Sequence, residues 1–399
     1  MNSNRVFVLV AALAELSTGA LTAQNESLAS KVTNASAAPV RHPAIPRRSS
    51  IIFIACHGLA LGDLSCYGQT NFQTPNFDRL AAEGTRFTNY RAGGDGLAAA
   101  QAAMMAGSNA AFAPDQATLA ARLQQAGYHT GLIGEWLLGP KPWTQGFDEF
   151  AGFLSEQEAD DYYSNFIWRH LRGTTYDPTS HTLPFRDVRE TIYDNADGKK
   201  NEYLPDLLLS AAANFVGANP PGIANHYQPF FPLVNRPAPH SMTPGKDDYP
   251  VPTDAPFTGE IWPQAAKNRA ALVTRLDAGV GRLLEALAKV KMTNNVAIFL
   301  AGAAAPEKFA DTNLSFLQLK DEVRGGDSEA RLRVPMIVRW PGRVPAGRIS
   351  RAPWSAPDFA PTALEIGYAQ PAADVTGISI LPVLLGKPGT NAPGAPQRP

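Results

Sequence analysis

Short apolar runs recur along this chain with amphipathic stretches between them, and that alternation limits the possible folds more than any other feature. The runs are Ile51-Ile52-Phe53-Ile54-Ala55, Thr130-Gly131-Leu132-Ile133, Pro229-Phe230-Phe231-Pro232-Leu233-Val234, Val296-Ala297-Ile298-Phe299-Leu300 and Val334-Pro335-Met336-Ile337-Val338. A continuous run of this kind, with no polar alternation, suits a strand buried on both faces. Between the runs, Leu119, Leu123 and Ala126 have helical spacing, with Gly127 as a stop signal. Leu204, Leu208, Ala211 and Phe215 form a second helix pattern, with Pro205 tolerable in its first turn. The longest pattern passes through Val273, Leu276, Val280, Leu283, Leu284 and Leu287 and breaks at Thr293-Asn294-Asn295. Strands alternating with helices predict an α/β fold: a doubly wound, mostly parallel central sheet with helices on both faces. Ligands of such sheets bind beyond the carboxyl ends of the strands, so the residues directly after each run are the ones to interrogate. From Arg172 to His226 the sequence is less regular, and only the helix near Leu208 is expected there.

With 44% hydrophobic and 18% charged residues among 399, the chain can bury a substantial core. Its 35 basic and 36 acidic residues leave a net charge of −1, with no long run of like charge. That balance gives no reason to expect nucleic acid or an anionic membrane surface as a partner. Residues 1–23 read as a signal peptide: Arg5 is a short positive region, Val6 to Leu16 is mostly apolar, and Leu21-Thr22-Ala23 precede Gln24. The apolar stretch is too short to span a bilayer, and no later segment reaches about 18 apolar residues. The expectation is an exported protein, periplasmic or extracellular, without a membrane span. A linker at 24–48, an α/β domain at 49–386 and a disordered Pro/Gly-rich tail at 387–399 complete the division. Cys56 and Cys66 are the two cysteines; they could pair, but the fold does not depend on a disulfide framework.

Several ordered segments carry a resemblance. They are Gly62-Asp63-Leu64-Ser65-Cys66-Tyr67-Gly68, Thr74-Pro75-Asn76-Phe77-Asp78-Arg79-Leu80, Ala126-Gly127-Tyr128, Gly146-Phe147-Asp148-Glu149-Phe150, Ala238-Pro239-His240, Arg333-Val334-Pro335 with Trp340-Pro341-Gly342, and Gly377-Ile378-Ser379-Ile380-Leu381-Pro382. Over roughly Ser50 to Lys387 the chain resembles the sulfatase family of the alkaline-phosphatase-like superfamily. Most of these segments are turn and core chemistry, so they speak for the scaffold.

The resemblance implies a nucleophile (a cysteine oxidised to formylglycine in a Cys-x-Pro-x-Arg type motif), a calcium ion held by several oxygen ligands, and cationic and imidazole groups around the sulfate. At the matching positions this chain has other residues. Leu97 stands at the cysteine position and Gln101 at the arginine position, with no Cys, Ser or Thr between Ala92 and Gly107. The family's pair of aspartates after the first strand reads His57-Gly58, and its later Asp-Asn pair reads Gly302-Ala303. The family's lysine is Glu135 and the following histidine is Leu137, while Trp136 remains. A carboxylate in place of a lysine repels a sulfate. His240 matches a sulfate-contacting histidine, though a loop histidine bonded to backbone is an equal reading. Arg324 lies near the family's final lysine, with Asp327 as the competing match.

The resemblance thus implies a scaffold retained and a chemistry replaced: no catalytic residue at the matching positions, no metal site, and neither calcium nor formylglycine as cofactor. Random decay would damage glycines, prolines and apolar strands as well. The expected function is that of an inactive, exported sulfatase-fold protein that binds a small anionic ligand or a protein partner. The alternative is a sulfuric ester or related ester hydrolase with a non-standard site built from a residual pocket of His57, Asp95, Glu135 and His240, with Arg324 nearby. The family's smaller C-terminal subdomain is expected to be missing, which would leave a sheet edge or apolar face for another chain.

Overall fold

The computed structural model describes residues 48–93, 96–113, 115–159, 162–172, 185–223, 226–235, 238–240, 249–303, 333–371 and 373–387. The signal-like segment, the linker up to residue 47, the tail from residue 388, and the candidates Asp95, Arg324 and Asp327 lie outside the described residues. From Arg48 onward the described residues belong to one compact unit.

The first apolar run forms β1 (Ser50–Cys56), and every one of its residues is buried. It lies in a sheet of eleven strands. The order is β10 (Arg348–Ser350), β2 (Thr85–Arg91), β9 (Arg333–Arg339), β8 (Val296–Gly302), β1, β7 (Phe230–Asn235), β3 (His129–Glu135), β4 (Glu149–Phe153), β5 (Phe166–Arg172) and β6 (Phe185–Thr191). The short β11 (Trp354–Ser355) runs beside β2. The centre, β8-β1-β7-β3-β4, is parallel throughout. β9 runs antiparallel to both of its neighbours, and β5 and β6 form an antiparallel arm at the other end.

The unbroken apolar character of β1 follows from its two coverings. Ile51, Phe53 and Ala55 join Leu119 and Leu123 of α3 (Leu119–Gln125) and Phe359 and Leu364 of α6 (Phe359–Ile366) on one face. Ile52, Ile54 and Cys56 join Leu208 and Phe215 of α4 (Leu204–Ala218) and Leu276 and Leu283 of α5 (Gln264–Lys289) on the other. Each such side chain contributes about 1.5–3 kcal/mol by leaving water. This is the doubly wound, mostly parallel sheet that the periodicity predicts.

Two polar anchors fix the loop that follows β1. Arg269 of α5 donates Nε to Asp63 Oδ1 at 2.9 Å and Nη2 to Asp63 Oδ2 at 2.6 Å. The same Nη2 reaches the Gly58 carbonyl at 2.8 Å, and Asp63 Oδ2 also accepts from the Ala60 amide at 2.7 Å. Burial alone would lower the Arg269 pKa, but the Asp63 carboxylate holds it above the ordinary value. Asp277, two turns along α5, accepts from the amides of Asn76 and Phe77 at 3.2 and 2.8 Å. Those are unsatisfied donors of the first turn of α1 (Pro75–Ala82), whose own cap residue Thr74 makes no side-chain cap bond.

Three expectations need correction. The region from Arg172 to His226 holds a strand, β6, as well as α4, because an edge strand with charged side chains carries no apolar alternation. The strands β2 and β4 are absent from the apolar runs for a similar reason: β2 is only half buried, and β4 is short. Helix α5 begins at Gln264, well before the apolar stripe that announces it.

Candidate functional site

The carboxyl ends of β1, β3, β7 and β8 meet the start of α2 (Leu97–Ala106). Leu97 opens α2 after Gly96, is 4% exposed, and points into the same apolar cluster as Phe53, Ala92 and Ala303. Its side chain has no atom that could attack sulfur or phosphorus. Gln101, one turn on, is fully engaged: its Nε2 donates to the Glu135 carbonyl at 2.9 Å and its Oε1 accepts from the Leu137 amide at 2.8 Å. Asn235, at the end of β7, donates to the same Glu135 carbonyl at 2.8 Å. Two side-chain amides therefore tie off the end of β3, where backbone pairing stops.

Gly58 and Gly302 have no space for a larger residue. Gly58 has φ +77°, and a Cβ there would lie 2.3 Å from the Pro239 carbonyl oxygen. A Cβ on Gly302 would lie 2.7 Å from Val334 Cβ and 2.8 Å from the Leu59 carbonyl oxygen. The Ala303 amide closes the join by donating to the Cys56 carbonyl at 2.9 Å. The void left between Leu97, Gln101, Asn235, Gly302 and Ala303 is about 10 Å³. That is about the room for one water. It is far below what a sulfate and a coordinated cation need.

The resemblance places calcium ligands at His57, Gly58, Gly302 and Ala303. Calcium takes six to eight oxygen ligands, and these side chains supply one imidazole, two hydrogens and a methyl. That donor set does not fit the ion. Among the described residues no group of three or more His, Cys, Asp or Glu side chains is placed to hold a metal. Both cysteines are free; burial pushes Cys56 well up, and burial with Asp78 pushes Cys66 up to about 12. Neither is a thiolate at neutral pH.

His57 and His240 do meet. Their rings stack at 5.0 Å between centroids and 26° between planes. His240 is buried, and the Tyr162 hydroxyl shares a 2.7 Å hydrogen bond with its Nδ1. The same hydroxyl accepts from the His240 amide and donates to its carbonyl, each at 3.1 Å. Glu135 is buried beside Gln101 and Asn235 through its backbone. Leu137 packs against the apolar cluster and Trp136 is buried in it, with its indole N–H donating to the Pro140 carbonyl at 2.6 Å. Sequence reasoning missed Tyr162, Asn235 and Arg269. Asn235 directly follows an apolar run and was open to the same inspection as His57. Tyr162 and Arg269 reach the site from distant positions, with no local signal.

On the other side of α2 from this small void lies a cleft of about 1250 Å³. Ala98, Ala99 and Ala102 form its floor, and Asn89, Arg91 and Trp354 stand among its walls. Ala92 borders both the cleft and the closed void.

Comparisons with known proteins agree with the fold. The profile of the Sulfatase family matches residues 49–367. N-acetylgalactosamine-6-sulfatase of Canis lupus familiaris is 27% identical over 90% of this chain and 70% of its own length. N-acetylglucosamine-6-O-sulfatase of Bacteroides thetaiotaomicron is 24% identical over 85% of this chain and 71% of its own. The human N-acetylgalactosamine-6-sulfatase, 28% identical, is matched over 66% of its length, so the chain spans about two thirds of such relatives. Among solved structures, Ps i-CgsB in complex with k-i-k-neocarrahexaose superposes with a TM-score of 0.63 at 26% identity, covering 85% of this chain and 76% of that one. The phosphonate monoester hydrolase of Agrobacterium radiobacter shares the fold at a TM-score of 0.57 and 17% identity, covering 86% and 78%. No helix among the described residues is long and apolar enough to cross a membrane.

Proposed function

We propose, from the premise that this chain belongs to the sulfatase family, that it does not hydrolyse sulfate esters and acts by binding. The observation that carries this reading is the 10 Å³ void at Leu97, Gln101, Gly302 and Ala303. A sulfatase needs there a nucleophile, an anion and a hard cation, and in this chain Leu97, Gln101, Asn235, Gly302 and Ala303 leave little room for them. Gln101 supports the reading, because both ends of its amide bond the backbone of β3's end rather than a ligand.

The binding part of the proposal rests on the adjacent cleft. Its volume exceeds the usual range for small-molecule sites, about 300–1,000 Å³, and Arg91 supplies a guanidinium on its wall. Solved neighbours were captured with a neocarrahexaose and with D-glucosamine-2-N,6-O-disulfate. A sulfated saccharide is accordingly the ligand class we assign to this cleft. Export completes the proposal: the mature chain begins near Gln24.

Purified protein, assayed with an aryl sulfate ester in the presence of calcium, is expected to give no turnover above buffer. Turnover that Glu135→Ala or His240→Ala abolishes would instead establish the hydrolase with a non-standard site, for which the stacked His57–His240 pair is the supporting observation. Binding of a sulfated oligosaccharide, lost in Arg91→Ala, tests the cleft. The mass of the protein recovered after secretion tests the processing site.

A further inference from the structure

The outer edge of β6 carries a charge pattern that the site does not use. Among the described residues β6 pairs only with β5, and its residues 186–190 are all exposed. An open edge presents a row of backbone donors and acceptors to any strand laid beside it. Charged side chains on such an edge ordinarily keep other strands away. Here they read Arg186-Asp187-Val188-Arg189-Glu190, an order antisymmetric in charge about Val188.

We infer that β6 is the docking edge for a second copy of this chain, paired antiparallel about a twofold axis at Val188. In that register Arg186 lies opposite Glu190 of the partner subunit, and Asp187 lies opposite Arg189 of the partner subunit. The symmetry repeats both pairs, so all four charged oppositions are attractive. Directly opposed residues with opposite charge stabilise a strand pair and like charges destabilise it. Moving the axis one residue toward the strand's start sets Asp187 against Asp187 of the partner subunit. Moving it the other way sets Arg189 against Arg189 of the partner subunit. Half-steps are excluded because opposed residues must point to the same face of the sheet. Charge therefore selects one register and rejects its neighbours.

Val188 sits on the axis and is 45% exposed, so pairing covers an apolar side chain that the monomer leaves in water. The flanking charges are already ordered from within the chain. Asp187 shares a 2.7 Å hydrogen bond with His170 Nδ1, Glu190 pairs with Arg169, and the Arg189 guanidinium lies 3.6 Å over the Phe166 ring. Side chains fixed in advance lose less freedom on association. The surface buried by one strand pair is small, so the dimer belongs to the weak, reversible class. It does not depend on the proposal about catalysis, and a closed site is compatible with either outcome.

Sedimentation equilibrium of the full chain across the micromolar range is the test. The wild-type mass is expected to rise from that of the 42.7 kDa monomer toward twice that value. Arg189→Asp, which puts two carboxylates opposite each other at each pair, is expected to weaken association by about tenfold or more. Glu190→Arg, acting on the other face of the strand, should weaken it similarly. The double variant Asp187→Arg with Arg189→Asp restores the antisymmetry and should recover most of the association, with circular dichroism confirming that all variants are folded. A wild-type chain that stays monomeric throughout would overturn the inference. So would a dimer indifferent to both single variants, or a folded double variant as weak as Arg189→Asp alone.

Discussion

The two ends of the loop that follows β1 have opposite characters. At its start, Gly58 packs against the Pro239 backbone, and the neighbouring Gly302 packs against Val334 and Leu59, with no room for a side chain at either. A few residues further on, Asp63 makes a buried two-point pair with Arg269, which also holds the Gly58 carbonyl. Polar side chains persist where they bond the chain to itself, as with Asp63, Arg269, Asp277, Gln101 and Asn235. Beside the small void, the side chains of Leu97, Gly302 and Ala303 supply no polar group. A loop that had merely decayed would show no such division. This one keeps a demanding buried ion pair a few residues from His57 and Gly58, so the local geometry is maintained.

The contrast is broken most severely at its polar end. Arg269→Ala leaves the Asp63 carboxylate buried without its partner, and a loss of about 3–5 kcal/mol is expected, read by denaturant unfolding. An effect under about 1 kcal/mol would mean that the pair does not anchor the loop. At the other end, Gly302→Asp reinstates an acidic side chain against Val334 and Leu59. Overpacking of this kind costs about 1–3 kcal/mol, and the substitution is expected to confer no calcium binding. A stable variant that binds calcium would show that the space had only been hidden.

Gln101 joins the two characters, since it lines the small void and bonds the backbone at the end of β3. Gln101→Ala is expected to destabilise by about 1–3 kcal/mol through the unmet Leu137 amide, since Asn235 still serves the Glu135 carbonyl. The smallest effect concerns the scaffold far from the site. Glu83 bonds Arg79 at 2.8 Å and Arg339 at 2.6 Å. Burial alone would raise its pKa, but those two guanidinium groups outweigh burial and lower it from the ordinary 4.5. Its stabilisation is present above pH 4.5 and is lost as pH falls through the lowered value. Glu83→Gln should therefore flatten the acid limb of the stability curve slightly, and leave it unchanged near neutrality apart from the lost ion pair.

The core of the fold was legible because burial on both faces forces continuous apolar runs, and β1, β3, β7, β8 and β9 all carry them. Helices α3 and α4 announced themselves through stripe and stop signals. The arm of β5 and β6 was not legible, because Arg186-Asp187-Val188-Arg189-Glu190 faces water and shows no period of apolar residues. At the site, the apolar character of Leu97 and Gly302 was plain from the sequence. Its consequence was not, since closure depends on Pro239, Val334 and Leu59 arriving from elsewhere. The partner of His240 is Tyr162, nearly eighty positions away, and a histidine in a loop does not disclose what it will bond.

Calorimetric titration of calcium into chelator-treated protein tests the closed site most directly. No saturable heat is expected up to millimolar ion, in the wild-type chain or with a sulfated oligosaccharide present. Stoichiometric binding of one calcium per chain that disappears in His57→Ala would contradict it.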